Sequence, residues 1–203
     1  PSSCLRMLVA LVSVASGFTR ATRFASSKRG LRRTPPCQMP EGPECKVHAE
    51  SLDRRFSGSR LHRVAILSGR YAGDGATPGR GGPPAGWRAL ESNLPAAIDG
   101  VCCHGKFLWW QVRPLSGALP ELTLWSTLGM SGMWSLDRTP NSRVALELFA
   151  ADGDALPPQR TVLFYNDQRN FGTLTVCPER SALEAKLRKL GPSWLGGSGS
   201  GGG

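Results

Sequence analysis

No Cys-x-x-Cys spacing occurs in this chain, although it holds six cysteines. Short-spaced pairs of that kind build zinc sites, so no metal site is expected from the residues present. Cys102 and Cys103 are neighbours that would point to opposite faces of a strand, which suits ordinary buried thiols in a reducing compartment. The apolar stretch from Leu8 to Ala15 is far shorter than the ~20 residues that cross a bilayer, so no transmembrane helix and no membrane partner are expected. No internal repeat is evident, and the Gly/Pro-rich stretch over 72–86 lacks a phosphate-loop pattern.

Acidic residues are missing from the first 38 positions, which carry seven basic ones: Arg6, Arg20, Arg23, Lys28, Arg29, Arg32 and Arg33. Subtracting these seven from the formal net charge of +10 leaves +3 for residues 39–203. The high isoelectric point therefore belongs mainly to the leader and says little about nucleic-acid binding by the rest. An apolar run, then Ser16-Gly17-Phe18, then an Arg/Ser/Thr-rich segment follow the order of a signal sequence and a transit peptide. The leader resembles bipartite plastid leaders; the alternative is an untranslated upstream region. Residues 1–38 are expected to be disordered either way. A genuine leader implies a plastid or mitochondrion, its absence the nucleus. The Gly/Ser-only stretch over 196–203 reads as flexible tail.

Between them lies one domain over 39–195, long enough to bury a core without disulfides or metal. A helix is expected from Pro43 to about Phe56, opened by proline at a first-turn position and closed at Gly58, with Val47, Leu52 and Phe56 on one face. Strands are expected at Leu61–Leu67, Ala96–Cys103, Phe107–Val112, Leu122–Leu128, Met133–Leu136, Val144–Phe149, Val162–Tyr165 and Thr173–Cys177. Ser181 and Glu184 form a capping-box signature ahead of Leu183, Leu187 and Leu190. The fold class is therefore mostly β with flanking helices, a two-layer β-sandwich.

Five segments carry chemical information: Met39-Pro40-Glu41-Gly42-Pro43-Glu44, Gly105-Lys106-Phe107-Leu108, Leu128-Gly129-Met130-Ser131-Gly132, Asn166-Asp167-Gln168-Arg169-Asn170-Phe171-Gly172, and Lys189-Leu190-Gly191-Pro192. In this order they resemble the N-terminal catalytic domain of the formamidopyrimidine-DNA glycosylase and endonuclease VIII family. Thr127, where the formamidopyrimidine branch often has histidine, and the NDQRNFG string favour the endonuclease VIII side.

The resemblance implies a base-excision DNA glycosylase with AP lyase activity that removes oxidised bases from double-stranded DNA, acting as a monomer. A processed N-terminal proline, here Pro40, attacks the sugar carbon that bears the damaged base. A secondary amine gives a cationic iminium without further protonation, and β/δ-elimination follows from it. Glu41 is implied as the acid/base at the sugar ring oxygen, Glu44 as a supporting carboxylate, and Lys106 as the cation for the phosphate beside the lesion. Met130, Arg169 and Phe171 match the three side chains that fill the hole left by the everted nucleotide. They are expected together on an exposed rim near Pro40.

Each residue also has an ordinary reading. Pro40 is a turn residue if Met39 stays attached, Glu41 a first-turn glutamate favoured by the helix dipole, Lys106 a solvated turn lysine. Met130 and Phe171 would then be core, and Arg169 a surface charge. The family continues into a helical DNA-clamping domain and a finger that often holds zinc. Only glycine and serine follow Trp194-Leu195, so neither has a counterpart and no cofactor is expected. A truncated, non-catalytic DNA-binding fragment is the alternative function. A basic RNA-binding β-protein would account for the charge but for none of the five segments.

Overall fold

The computed structural model describes residues 41–73, 81–117, 121–150 and 159–190. The leader, Pro40, the Gly/Ser tail and part of the Gly/Pro-rich stretch lie outside the described residues. The order is α1 (Gly42–Phe56), β1 (Arg60–Ile66), a 3-10 turn (Gly69–Ala72), α2 (Trp87–Ser92), β2 (Ala96–His104), β3 (Phe107–Pro114), β4 (Leu122–Thr127), β5 (Gly132–Ser135), β6 (Ser142–Phe149), β7 (Arg160–Asp167), β8 (Thr173–Cys177) and α3 (Arg180–Leu190). All eight expected strands are present, with ends shifted by up to two residues.

The strands form one antiparallel sheet in the order β5-β7-β6-β1-β2-β3-β4-β8. The expected sandwich arises because this sheet folds over on itself. β1 and β2 share only the pairs Arg60↔Ala97 and Leu61↔Ala96, so the two halves diverge from a narrow seam. They meet again through side chains. Trp134 on β5 lies edge-on to Trp110 on β3 at 5.4 Å between centroids and tilts against Tyr165 on β7 at 5.1 Å. Its indole N–H donates to Ser126 Oγ of β4 at 3.2 Å. Aromatic pairs of this geometry add about 0.5–1.5 kcal/mol each beyond the area they bury.

β3 is buried on both faces, which explains its continuous apolar run. Leu108, Trp110 and Val112 enter the main core, while Phe107 and Trp109 face a second cluster covered by Leu183 and Leu187 of α3. Cys103 packs on the first cluster and Cys102 on the second, the opposite-face placement expected of adjacent strand residues.

Two expectations are corrected, and two further features were not expected. Val47 is 67% exposed; the buried face of α1 is Cys45, Ala49, Leu52 and Phe56. Ser181 lies inside α3 rather than at its cap, the first turn being closed by Ala182 N–H to Glu179 O, and Glu184 pairs with Arg180 instead. The Gly/Pro-rich stretch leads into α2, whose Trp87 and Leu90 are buried. Here the Val176 N–H of edge strand β8 donates to Ala85 O, so the edge is covered by chain that composition marked as loop. The 3-10 turn at Gly69–Ala72 carries the buried Tyr71 and was also unexpected.

α1 touches the opposite edge strand, β5, through His48. The Trp134 backbone N–H donates to His48 Nε2 at 3.2 Å, which satisfies a donor that no neighbouring strand reaches. Burial lowers the His48 pKa from 6.5 to about 4, so the imidazole is neutral and able to accept. As pH falls, the unfolded chain takes up the proton first. The His48 contribution is complete above about pH 6.5 and is lost as pH drops toward 4, by up to roughly 3 kcal/mol. Urea unfolding measured across that window should therefore show a slope that flattens in His48→Gln; equal slopes in both proteins would contradict it.

Candidate functional site

The strand registers decide which loops share an end of the sandwich. Phe107 pairs with Thr127, Thr127 with Thr173, and Gly132 with Asp167. The Gly105-Lys106 turn of the β2–β3 hairpin, the turn over 128–131 between β4 and β5, and the β7–β8 loop over 168–172 are thereby brought to one end. Gly105 has φ +59 with open space around it, the left-handed conformation that a two-residue hairpin turn favours. Lys106 at its tip is exposed.

The start of α1 lies at the same end. α1 runs along β2, with Asp53 Oδ1 accepting from Val101 N–H at 2.8 Å and Ser57 Oγ donating to Asp99 O at 3.1 Å, so its first turn reaches the level of Lys106. Burial raises the Cys45 thiol pKa, and the nearby Lys106 ammonium works against that rise. Glu41 is the N-cap of the helix. The Glu44 carboxylate accepts from the Glu41 backbone N–H at 3.0 Å, one arm of a capping box. Both glutamates are exposed. Pro40 immediately precedes this turn in sequence and lies outside the described residues.

Met130, Arg169 and Phe171 come together. Arg169 Nη1 reaches Met130 Sδ at 3.5 Å, and the Arg169 backbone N–H donates to Ser131 Oγ at 3.0 Å, beside Met130. Phe171 is 62% exposed, Arg169 is exposed and Met130 is half-buried. The core reading of Phe171 therefore fails. A phenylalanine held in solvent at a tight turn is the kind of exposed apolar group that marks an interaction site.

Several residues that build this rim escaped the sequence reading. Asp167, 1% exposed, receives the Ser131 hydroxyl at 2.6 Å and the Gly172 N–H at 2.7 Å. Arg143 Nε donates to Asp167 O at 2.9 Å and Nη2 to Gln168 O at 3.4 Å. Arg70 Nη1 donates to Asn170 O at 3.3 Å, and the Tyr71 hydroxyl donates to Gly172 O at 3.1 Å. Asn170 takes φ 57, a conformation asparagine tolerates better than most residues. The available signal was an aspartate at a strand end followed by turn residues and glycine. The partners from the 3-10 turn and β6 have no signal in local sequence.

Among the described residues no group of three His, Cys, Asp or Glu side chains could hold a metal ion, and no helix is long and apolar enough to cross a membrane. The 3-10 turn and the strand ends instead present arginine side chains around an apolar tip.

The profile of the formamidopyrimidine-DNA glycosylase N-terminal domain matches residues 39–174. The chain is 26% identical over 161 residues to a formamidopyrimidine-DNA glycosylase of Deinococcus radiodurans, covering 77% of this chain and 49% of that protein. It is 29% identical over 160 residues to that of Acidothermus cellulolyticus, covering 77% and 50%. The chain thus spans about half the length of the curated relatives it matches. The MutM (Fpg) protein of Thermus thermophilus superposes with a TM-score of 0.51 at 27% identity, over 75% of this chain and 46% of that one. A Lactococcus lactis Fpg in complex with abasic-site DNA shares the fold, with a TM-score of 0.53 at 20% identity over 73% and 48%. These matches do not distinguish the endonuclease VIII branch.

Gly172 is where the rim is most tightly packed. A Cβ there would collide with the Tyr165 hydroxyl and lie 2.9 Å from Thr127 O and 3.0 Å from Asp167 Oδ2. Gly172→Ala should cost about 2–3 kcal/mol in urea unfolding, and a loss under about 0.5 kcal/mol would show that the rim is loosely built.

Proposed function

The chain belongs to the formamidopyrimidine-DNA glycosylase family, and from that membership we propose that it carries the catalytic machinery of a base-excision DNA glycosylase with AP lyase activity on oxidised bases in double-stranded DNA. The observation that carries the reading is the exposed Phe171, with Arg169 and Met130 against each other beside it, at the same end of the sandwich as Lys106 and the start of α1. A protein that everts a nucleotide needs a filler and a wedge next to its nucleophile, because unstacking costs a few kcal/mol and leaves a hole.

In this reading the secondary amine of a free N-terminal Pro40 attacks the sugar carbon and expels the damaged base. An α-amino group titrates near pH 7.7–8.0, so a useful neutral fraction exists at physiological pH. Loss of the N–H proton leaves a tertiary amine whose lone pair becomes the C=N bond of a cationic iminium as the ring C–O bond breaks, and loss of a proton from the carbon next to the iminium then expels the neighbouring phosphate by elimination. Glu41, exposed at the N-cap and adjacent to Pro40, delivers the proton to the ring oxygen. The Glu44 carboxylate fixes the backbone of Glu41 and so keeps that acid in place. Lys106 supplies an exposed cation for a phosphate. Met130 and Phe171 occupy the vacated stack while the Arg169 guanidinium meets the orphaned base.

The chemistry demands an amine with nothing attached. Protein beginning at Pro40 should form a borohydride-trappable covalent complex with abasic duplex DNA, and the same protein retaining residues 1–39 should not. Equal trapping with the leader in place would assign the reaction to another amine, such as Lys106. If neither protein traps while both fold, the non-catalytic DNA-binding reading replaces this one. Arg169→Ala should lower excision at least about tenfold while changing unfolding free energy by less than about 0.5 kcal/mol, since the side chain is exposed.

A further inference from the structure

The Asp167 carboxylate is buried and divided between two turns. Its Oδ1 takes the Ser131 hydroxyl at 2.6 Å, and that same Oγ accepts the Arg169 N–H at 3.0 Å. Its Oδ2 takes the Gly172 N–H at 2.7 Å. One arm therefore ends on the turn that carries Met130 and on the backbone of Arg169. The other ends on the residue after Phe171.

The backbone of the loop is held from outside as well. Carbonyls 167 and 168 accept from Arg143, 170 from Arg70 and 172 from Tyr71. The turn with Met130 lies directly under the loop, since a Cβ on Gly129 would sit 3.0 Å from Gly172 N and 3.2 Å from Phe171 C. With so many of its backbone groups engaged, the loop presents Arg169 and Phe171 to solvent from a fixed base. Side chains presented this way lose little further entropy on entering DNA, which is how preorganisation increases the rate of a step that depends on geometry.

We propose that Asp167 is a positioning residue: through Ser131 and the Gly172 N–H it locks the Met130 turn to the Arg169–Phe171 turn, so that filler and wedge enter the duplex as one preset unit. Asp167 touches neither sugar nor base in this scheme and acts only through those side chains. The inference rests on the glycosylase reading given above.

Two readouts separate positioning from stability. One is the fluorescence of 2-aminopurine placed opposite the lesion in duplex DNA, which rises when the pair is opened and the probe base loses its stacking. The other is borohydride trapping at an abasic site in single-stranded DNA, where no eversion from a duplex is needed. In protein freed at Pro40, Asp167→Asn should reduce duplex excision at least about tenfold and remove most of the fluorescence rise, with single-strand trapping within about twofold of wild type. Ser131→Ala, which deletes one arm with little change in volume, should go in the same direction, and Ser131→Thr, which keeps the hydroxyl, should restore both signals. Ser131→Ala decides the matter if Asp167→Asn fails to fold. Folded variants with unchanged duplex excision and fluorescence overturn the proposal, as does an equal loss of trapping on single-stranded and duplex DNA. A wild-type protein that neither traps nor changes the fluorescence overturns the functional reading and this inference with it.

Discussion

The indole of Trp134 sits where the two halves of the sheet come back into contact. Strand β5 is an edge strand that pairs only with β7, yet its tryptophan lies against Trp110 of β3 and donates to Ser126 of β4. Tyr165 completes the closure by donating from β7 to Thr127 O at the end of β4. Without these contacts the eight strands would form an open sheet, with the turn holding Met130 and the loop holding Phe171 tied to separated strands. Closure also brings Gly172 beneath the Tyr165 hydroxyl, where only glycine fits. The buried core and the exposed rim are thus two sides of one arrangement.

Charge is used at this end in two different ways. Arg143 and Arg70 direct guanidinium groups inward to backbone carbonyls of the β7–β8 loop. Hydrogen bonds from charged donors are stronger than neutral ones, so these arginines stiffen the loop. Arg169 and Lys106 stay at the surface. A net charge count cannot separate these roles, and most of the excess positive charge lies in residues 1–38 in any case.

Polar groups around the β7–β8 loop are satisfied by partners far away in sequence. Asp167 binds Ser131, 36 positions earlier, and Arg70 reaches Asn170 across 100 positions. Tyr71 joins the same network twice, donating to Gly172 O and accepting from Leu174 N–H. Burying a carboxylate and two tyrosine hydroxyls is tolerable only because each has such a partner. The cost of breaking one link is correspondingly high, and the rim behaves as a unit.

Local patterning in the sequence determined the strands, α1 and α3, because apolar alternation, first-turn proline and turn glycines act within a few residues. It also marked Pro40, Glu41, Lys106, Met130, Arg169 and Phe171 as chemically distinctive, by their place in five ordered segments. The capping error at Ser181 and the misplacement of Val47 arose where a local signal competed with packing. Only the tertiary structure decided that one sheet makes both layers, because register and the narrow β1–β2 seam depend on long-range pairing. It also decided that Phe171 is exposed although it is as apolar as the buried Phe107, since burial depends on what lies opposite and not on the side chain itself. The role of Asp167 was beyond sequence for the same physical reason: a carboxylate becomes an anchor only when the chain places its donors around it.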